Sequence, residues 1–323
     1  MSRRSTYLSC IVSIGIFVYF VPEYVRQQTA RATLRHRGMR PVSRDVPHPC
    51  LNADFVPEHK TAVCTILEDD RNYVLSALKM AHALRAHTTD EPFDMVVMEL
   101  ASKPLASSDW VCLREVGWKR CIVDRINPLD EAGTRRRFPR FVDVLTKIHV
   151  WGMTMYQTLV FLDADTLVLR SVGHLLRLKM GNHSIAASAQ TWYGIFEGFN
   201  TGVFVIHPDM HEYQRLLSLQ QDPSMQFDTS WADQGFLNVV YKDKWMDLGF
   251  TNNAVVWVSW QNHAYWLRHY EVINIIHFTG AKPWSCFADN LSFIEWLTTP
   301  SAYYTEICKV WRDMPPQTCE NLI

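Results

Sequence analysis

The chain has 323 residues, 48% of them hydrophobic, with 32 Lys+Arg set against 33 Asp+Glu. That apolar share supports the core of one large α/β domain or two small ones, and excludes a disordered chain. A formal net charge of -1 supplies no global field to draw in nucleic acid, which is not expected as a partner, a local basic patch being the exception.

The N-terminus departs from this average. Tyr7 to Val21 carry no charge and follow Arg3 and Arg4. The run is short for a bilayer span of about 20 apolar residues but comes near the limit when extended through Val25. A cleaved signal peptide is the alternative, yet the small-x-small site Ala30-Arg31-Ala32 lies well beyond the run. Residues 1–25 are therefore expected to form a cytosolic tail and signal anchor, and residues 26–58, rich in Arg and Pro, a stem. Two observations pull the orientation in opposite directions. Arg26, Arg31, Arg35, Arg37 and Arg40 follow the span and favour a cytosolic body. The sequons Asn182-His183-Ser184 and Asn290-Leu291-Ser292 favour a lumenal one, and the lumenal body is the expectation.

The body spans residues 59–323. "TAVCTIL" (61–67) reads as a buried strand and "NYVLSALKMAHALRA" (72–86) as an amphipathic helix. "FDMVVMEL" and "RCIVDRI" give two more strands with a helix in "SDWVCLREVGW" between them, and "FVDVLTKIHVWGMTMYQ" (141–157) a further helix. A strand "LVFL" follows. This alternation predicts a mostly parallel sheet covered by helices on both faces. After residue 170 come a helix near "HLLRLKM", strands "SIAASA" and "TGVFVIHP", helices "MHEYQRLLSL" and "WADQGFLNVVY", short strands near "AVVWVSW" and "EVINIIHF", and a C-terminal helix from about Asn290.

Of eight cysteines, Cys10 in the apolar run and Cys64 in a strand are expected to be reduced; among the other six, Cys308 with Cys319 is the easiest pair to place. No Cys/His spacing of a zinc site appears.

The chemistry concentrates in "LVFLDADTLVLR" (159–170). Asp163 and Asp165 sit one residue apart at the end of an apolar run, so they face one side of an extended chain while Ala164 faces the other. The carboxyl end of a parallel strand is where open α/β sheets bind ligands. Paired carboxylates suit Mg²⁺ or Mn²⁺, and a nearby imidazole tilts the choice to Mn²⁺. A plain turn with two solvated acids is the competing reading.

"LTKIHVW", "FLDADTLVL", "FNTGVFVIHP", "DQGFLN" and "HFTGAKPW", in this order and approximate spacing over residues 61–284, resemble the glycosyltransferase family 8 enzymes, the glycogenin and galactinol synthase group. The resemblance implies a GT-A (Rossmann-like) catalytic domain, a UDP-sugar donor, a divalent cation, usually Mn²⁺, and transfer of a hexose-type sugar to a glycan or glycoconjugate with retention. It puts Asp163, Asp165 and His277 on the metal, and Thr65, Ile66, Tyr73, Arg140 (with Arg137 in reserve), Lys147, Ala164, Asn200, Thr201, Gly280 and Lys282 around the donor. Asp233, Gln234 and Lys147 would be the catalytic residues, with Asp233 and Gln234 facing the transferred sugar. Asp233 would be the nucleophile of a double displacement; in the favoured front-face alternative, Gln234 would stabilise the sugar cation. "ILEDD" departs from the family's small polar residues beside the base.

Where glycogenin carries the tyrosine that accepts the first sugar, this chain has Trp260, whose indole has no hydroxyl to glycosylate, and Tyr265 is off register. Trp257, Trp260 and Trp266 are read either as a surface on which an acceptor stacks or as core. The expectation is a membrane-anchored enzyme of the Golgi or secretory pathway, single-pass type II, for which a homodimer is compatible. The alternatives are a cytosolic self-glucosylating initiator and a non-catalytic sugar-nucleotide or glycan-binding scaffold.

Overall fold

The computed structural model describes residues 48–127, 143–190, 198–280, 282–285 and 302–314, without the side chains of residues 260 and 302–305. They belong to one compact unit, Val46–Ile323. The expected anchor and most of the stem lie outside the described residues. Among the described residues no helix is long and apolar enough to cross a membrane.

Strand β1 (Thr61–Leu67) is flanked by β2 (Asp94–Leu100) and β4 (Thr158–Leu162), with β3 (Trp118–Val123) outside β2, and all these pairings are parallel. Beyond β4 the sheet continues through β7 (Phe199–Ile206), β6 (Ile185–Ala189) and β8 (Trp245–Asp247), giving the order β3-β2-β1-β4-β7-β6-β8. Only β7 runs against its neighbours. A second sheet holds β5 (Thr166–Val168), β10 (Ile275–His277) and β9 (Ala254–Val255).

Side chains alternate across the large sheet with period 2. Val63, Leu67, Val97, Val160, Leu162 and Val205 enter one apolar cluster, while Ala62, Cys64, Val96, Leu159, Phe161 and Phe204 enter the other. Helices cover both faces. On the first lies α1 (Arg71–His87), whose Val74, Leu78 and Leu84 are buried; Asp70 caps it by accepting from the Asn72 amide. That cap accounts for the acidic departure in "ILEDD". Next comes α2 (Ser107–Glu115). After the short α3 (Gly173–Leu176), α4 (Met210–Gln220) and α5 (Ala232–Val240) pack on the second face through Leu216, Phe236 and Leu237. Each fully buried side chain of this kind contributes about 1.5–3 kcal/mol relative to exposure.

The segment read as a helix over 141–157 is instead a 3₁₀ helix, Val144–Gly152. Leu145 to Gly152 are all buried, and four β-branched residues, Val144, Thr146, Ile148 and Val150, weaken α-helical winding. "AVVWVSW" is strand only at β9; the chain then turns into α6 (Val258–Gln261) and α7 (His263–Tyr270). The expected start of the C-terminal helix near Asn290 lies outside the described residues; the described helix there is α8 (Ala302–Asp313).

Cys64 is free and buried, as expected. Cys50 and Cys121 form a disulfide across 71 residues of sequence, joining the start of the unit to β3. Cys112 and Cys308 are also disulfide-bonded. Cys319, the partner expected for Cys308, lies outside the described residues.

Candidate active site

The end of β4 meets the end of β10. Asp163 donates its amide to the Gly202 carbonyl of β7 (2.7 Å), and the Asp165 carbonyl accepts from the Phe278 amide just after β10 (3.0 Å). The acidic turn is thereby tied to both sheets, and its carboxylates meet His277. The His277 Nε2 atom lies 3.4 Å from Asp165 Oδ1 and 3.8 Å from Asp163 Oδ2. Potential ligand atoms of the three residues all fall within 4.8 Å of one another. His277 Nδ1 contacts Asn253 Oδ1 at 3.0 Å. An amide oxygen only accepts, so the proton belongs on Nδ1 and the Nε2 lone pair faces the carboxylates. This donor set, two carboxylates and one imidazole, fits a divalent cation such as Mn²⁺.

Two lysines balance the acids. Lys147, buried in the 3₁₀ helix, lies 2.8 Å from Asp163 Oδ1 and 3.2 Å from Asp233 Oδ2, with its ammonium over the Phe161 ring. Burial alone would lower its pKa; Asp163 and Asp233 overcome that and raise it. Lys282 pairs with Asp165 and donates to the Phe278 carbonyl (3.1 Å). Burial pushes the Asp165 carboxyl up, but Lys282 and then His277 hold it well below the usual carboxylate range. Asp233 goes the other way. Burial raises it, and Lys147 only partly opposes this.

Asp233 does not cap α5, whose N-cap is Trp231 and makes no side-chain cap. Its carboxylate turns inward to Lys147 and the Thr201 hydroxyl. Just before it stands Ala232, the one non-glycine residue of positive φ (53°) among the described residues, a strained conformation beside the site. Asn200 and Thr201 lie within β7 rather than in a turn, and both are buried. Asn200 Nδ2 donates to Gln190 Oε1 (2.9 Å) and Gln234 Oε1 (3.1 Å), while its Oδ1 accepts from Asn253 Nδ2 (2.8 Å). A polar chain thus runs from Gln234 through Asn200 and Asn253 to His277. The Gln234 Nε2 atom, buried and without a hydrogen-bond partner, remains to donate.

The sequence reading missed Asn253 and Gln190; the only signal for Asn253 was a pair of asparagines directly before a buried strand. Thr65 is buried with an unpartnered hydroxyl, Ile66 and Tyr73 are half-buried, and Ala164 is buried. Tyr73 sets its ring edge-on to Trp284 at 4.9 Å, and burial pushes its hydroxyl up to about 12. Gly280 has φ +88° with open space where a Cβ would project. Arg137 and Arg140 lie outside the described residues, as does the Trp260 side chain. Of the two readings of Trp257 and Trp266, the core one holds: they are 7% and 0% exposed and belong to the apolar cluster beneath β9 and β10.

Gly202 makes room for the histidine. A Cβ there would lie 2.0 Å from His277 Cε1 and 2.4 Å from Nδ1. Gly202→Ala is expected to destabilise the fold by about 1–3 kcal/mol, read as a lower midpoint in urea unfolding. An unchanged midpoint would mean that the ring does not occupy this space.

The sequence model of Glycosyl transferase family 8 matches residues 64–288, which hold the whole constellation. The chain belongs to glycosyl transferase family 8. Among family relatives, it is 32% identical over 232 residues to glycogenin-1 of Mus musculus, covering 69% of this chain and 65% of that one. It is 27% identical over 266 residues to galactinol synthase 3 of Arabidopsis thaliana, covering 70% and 74%. The matched stretch spans 30% to 49% of the length of three other curated relatives. Among solved structures, the galactosyltransferase LgtC in complex with donor and acceptor sugar analogs superposes with a TM-score of 0.52 at 17% identity, covering 79% of this chain and 100% of that one. At that identity the likeness concerns the fold alone, which is GT-A-like with a mostly parallel central sheet.

Proposed function

We propose that this chain is a metal-dependent, retaining glycosyltransferase that moves a hexose-type sugar from a UDP-sugar to a glycan acceptor. The observation that carries this reading is the convergence of Asp163, Asp165 and His277, with the Nε2 lone pair of His277 left facing the carboxylates. A divalent cation held there supplies Lewis acidity to a diphosphate leaving group. Lys282 adds a positive charge on the same side, and Gly280 lets backbone approach the phosphates. Asn200 engages the Gln234 amide oxygen and leaves its N–H free to donate to a sugar oxygen. Asp233, engaged by Lys147, positions rather than attacks. We therefore favour the front-face route, in which the acceptor hydroxyl enters on the leaving-group side and passes its proton to the departing diphosphate.

The test is a screen of UDP-glucose, UDP-galactose, UDP-glucuronate and UDP-N-acetylglucosamine with Mn²⁺, following UDP release before and after chelation. Metal-dependent release is expected with at least one donor. No release from any would leave a binding scaffold as the reading. Because Trp260 stands where glycogenin carries its acceptor tyrosine, the protein's own mass should stay constant; a gain localised to Tyr265 would restore the self-glucosylating reading.

We further propose a lumenal body behind a type II anchor in the Golgi or secretory pathway. The disulfide bonds at Cys50–Cys121, Cys112 and Cys308 support an oxidising compartment. Asn182 is exposed in a turn, open to glycosylation. Expression in a secretory host is expected to give an endoglycosidase-sensitive mass shift that Asn182→Gln removes. An unshifted band with the body digestible from the cytosolic side would refute the lumenal placement.

A further inference from the structure

The C-terminal helix α8 lies beyond the residues that match the family, yet it packs beside the candidate donor site. Trp311 is 5% exposed and its indole N–H donates to the Ser76 hydroxyl of α1 (3.3 Å). Its ring lies under the Lys79 ammonium, 4.9 Å from the centroid, and that ammonium donates to the Arg312 carbonyl (3.0 Å) and to the Met314 carbonyl at the helix end. Tyr73, Ser76 and Lys79 are spaced three apart, so they share one face of α1. Between the two helices sits Trp284. Its ring is 6.0 Å from Trp311 on one side and 4.9 Å from Tyr73 on the other. Trp284 follows Lys282 by two residues, and the Ser285 amide donates to the Lys282 carbonyl (2.9 Å), closing the segment into a turn. Ile307, Cys308 and Trp311 also share the apolar cluster of Ile276 and Phe278, the neighbours of His277.

We propose that α8 is a buttress for the donor site, with Trp311 as a positioning residue that holds Trp284, and through it Tyr73 and the Lys282 turn, in the geometry that binds the nucleoside diphosphate. This rests on the reading that the nucleotide lies over Tyr73 and Lys282. Trp311 touches no reacting atom. It acts by fixing the ring that walls the cleft, so it should govern donor affinity more than the chemical step.

The experiment titrates UDP into the full-length protein with Mn²⁺ by calorimetry, alongside melting curves and donor kinetics. For Trp311→Leu the dissociation constant of UDP is expected to rise about fivefold, the scale of one aromatic contact. The loss should appear in the donor KM rather than in kcat, and Trp311→Phe, which keeps a ring, should recover most of it. A purely structural role would lower the melting temperature and leave UDP affinity alone. A folded Trp311→Leu protein that binds UDP within about twofold of wild type overturns the buttress. If that variant has no cooperative melt, Trp284→Leu decides, since the contact runs through this half-buried ring, and unchanged affinity there overturns it equally. Wild-type protein that binds no UDP would overturn the donor-site reading beneath it, whereas normal wild-type binding with insensitive variants overturns this proposal alone.

Discussion

Asp165→Asn is expected to lower kcat/KM for the donor by at least about a thousandfold while leaving the protein folded. The substitution keeps the shape of the side chain and removes the charge of the buried carboxylate that faces His277 Nε2. A cation acting as Lewis acid contributes several kcal/mol to such a transition state, and about 1.36 kcal/mol corresponds to a factor of ten. The fold should tolerate the change because Lys282, left without its carboxylate, keeps the Phe278 carbonyl and a side chain that is 25% exposed. UDP-release kinetics, calorimetric Mn²⁺ binding and a melting curve form the test. A variant that melts normally and retains activity within about tenfold of wild type would remove Asp165 from the metal.

Lys147→Met is the second large effect, and here stability and activity fall together. The ammonium lies between Asp163 and Asp233, its side chain 5% exposed and that of Asp233 7% exposed. Removing it strands a buried carboxylate, a loss of about 3–5 kcal/mol near neutral pH. The pH dependence has a definite sign. Asp233 is already raised by burial, and losing Lys147 raises it further. A carboxyl that binds its proton more readily in the fold than in the unfolded chain costs stability above its folded pKa. That cost shrinks as pH falls toward the unfolded value of about 3.9. Each pH unit over which Asp233 is protonated only in the fold returns about 1.4 kcal/mol. The deficit in unfolding free energy should therefore be greatest at alkaline pH and narrow in mild acid. A deficit that widens as pH falls would show that Asp233 is not the stranded group.

What the sequence disclosed follows from how local each signal is. Thr61–Leu67 declares itself as a short, nearly continuous apolar run, and Arg71–His87 by an apolar period of 3.6, both written into consecutive residues. Asp163 and Asp165 were legible for the same reason, lying one residue apart at a strand end. β5 and β8, three residues each, are too short to carry a period. The reversed direction of β7 leaves no local trace, since an antiparallel strand alternates like a parallel one. The 3₁₀ winding at Val144–Gly152 was hidden because burial on every side replaces the single apolar stripe that marks a surface helix. Asn253 was missed because its importance comes from partners 24 and 53 residues away, His277 and Asn200. For Trp257 and Trp266 the sequence left two readings open, since an aromatic residue beside a motif block suits either a surface or a core, and their burial beneath β9 and β10 makes them core.

The sulfur bridge between Cys50 and Cys121 has a mechanical consequence. Tension applied from the N-terminal side, as on a protein held by one end, passes at Cys50 straight across to β3 and bypasses β1, α1, β2 and α2. The 71-residue interval would otherwise pay out about 240 Å of chain when pulled straight. With the bridge intact this length is withheld, and β1, the strand against which β4 aligns just ahead of Asp163, stays off the load path.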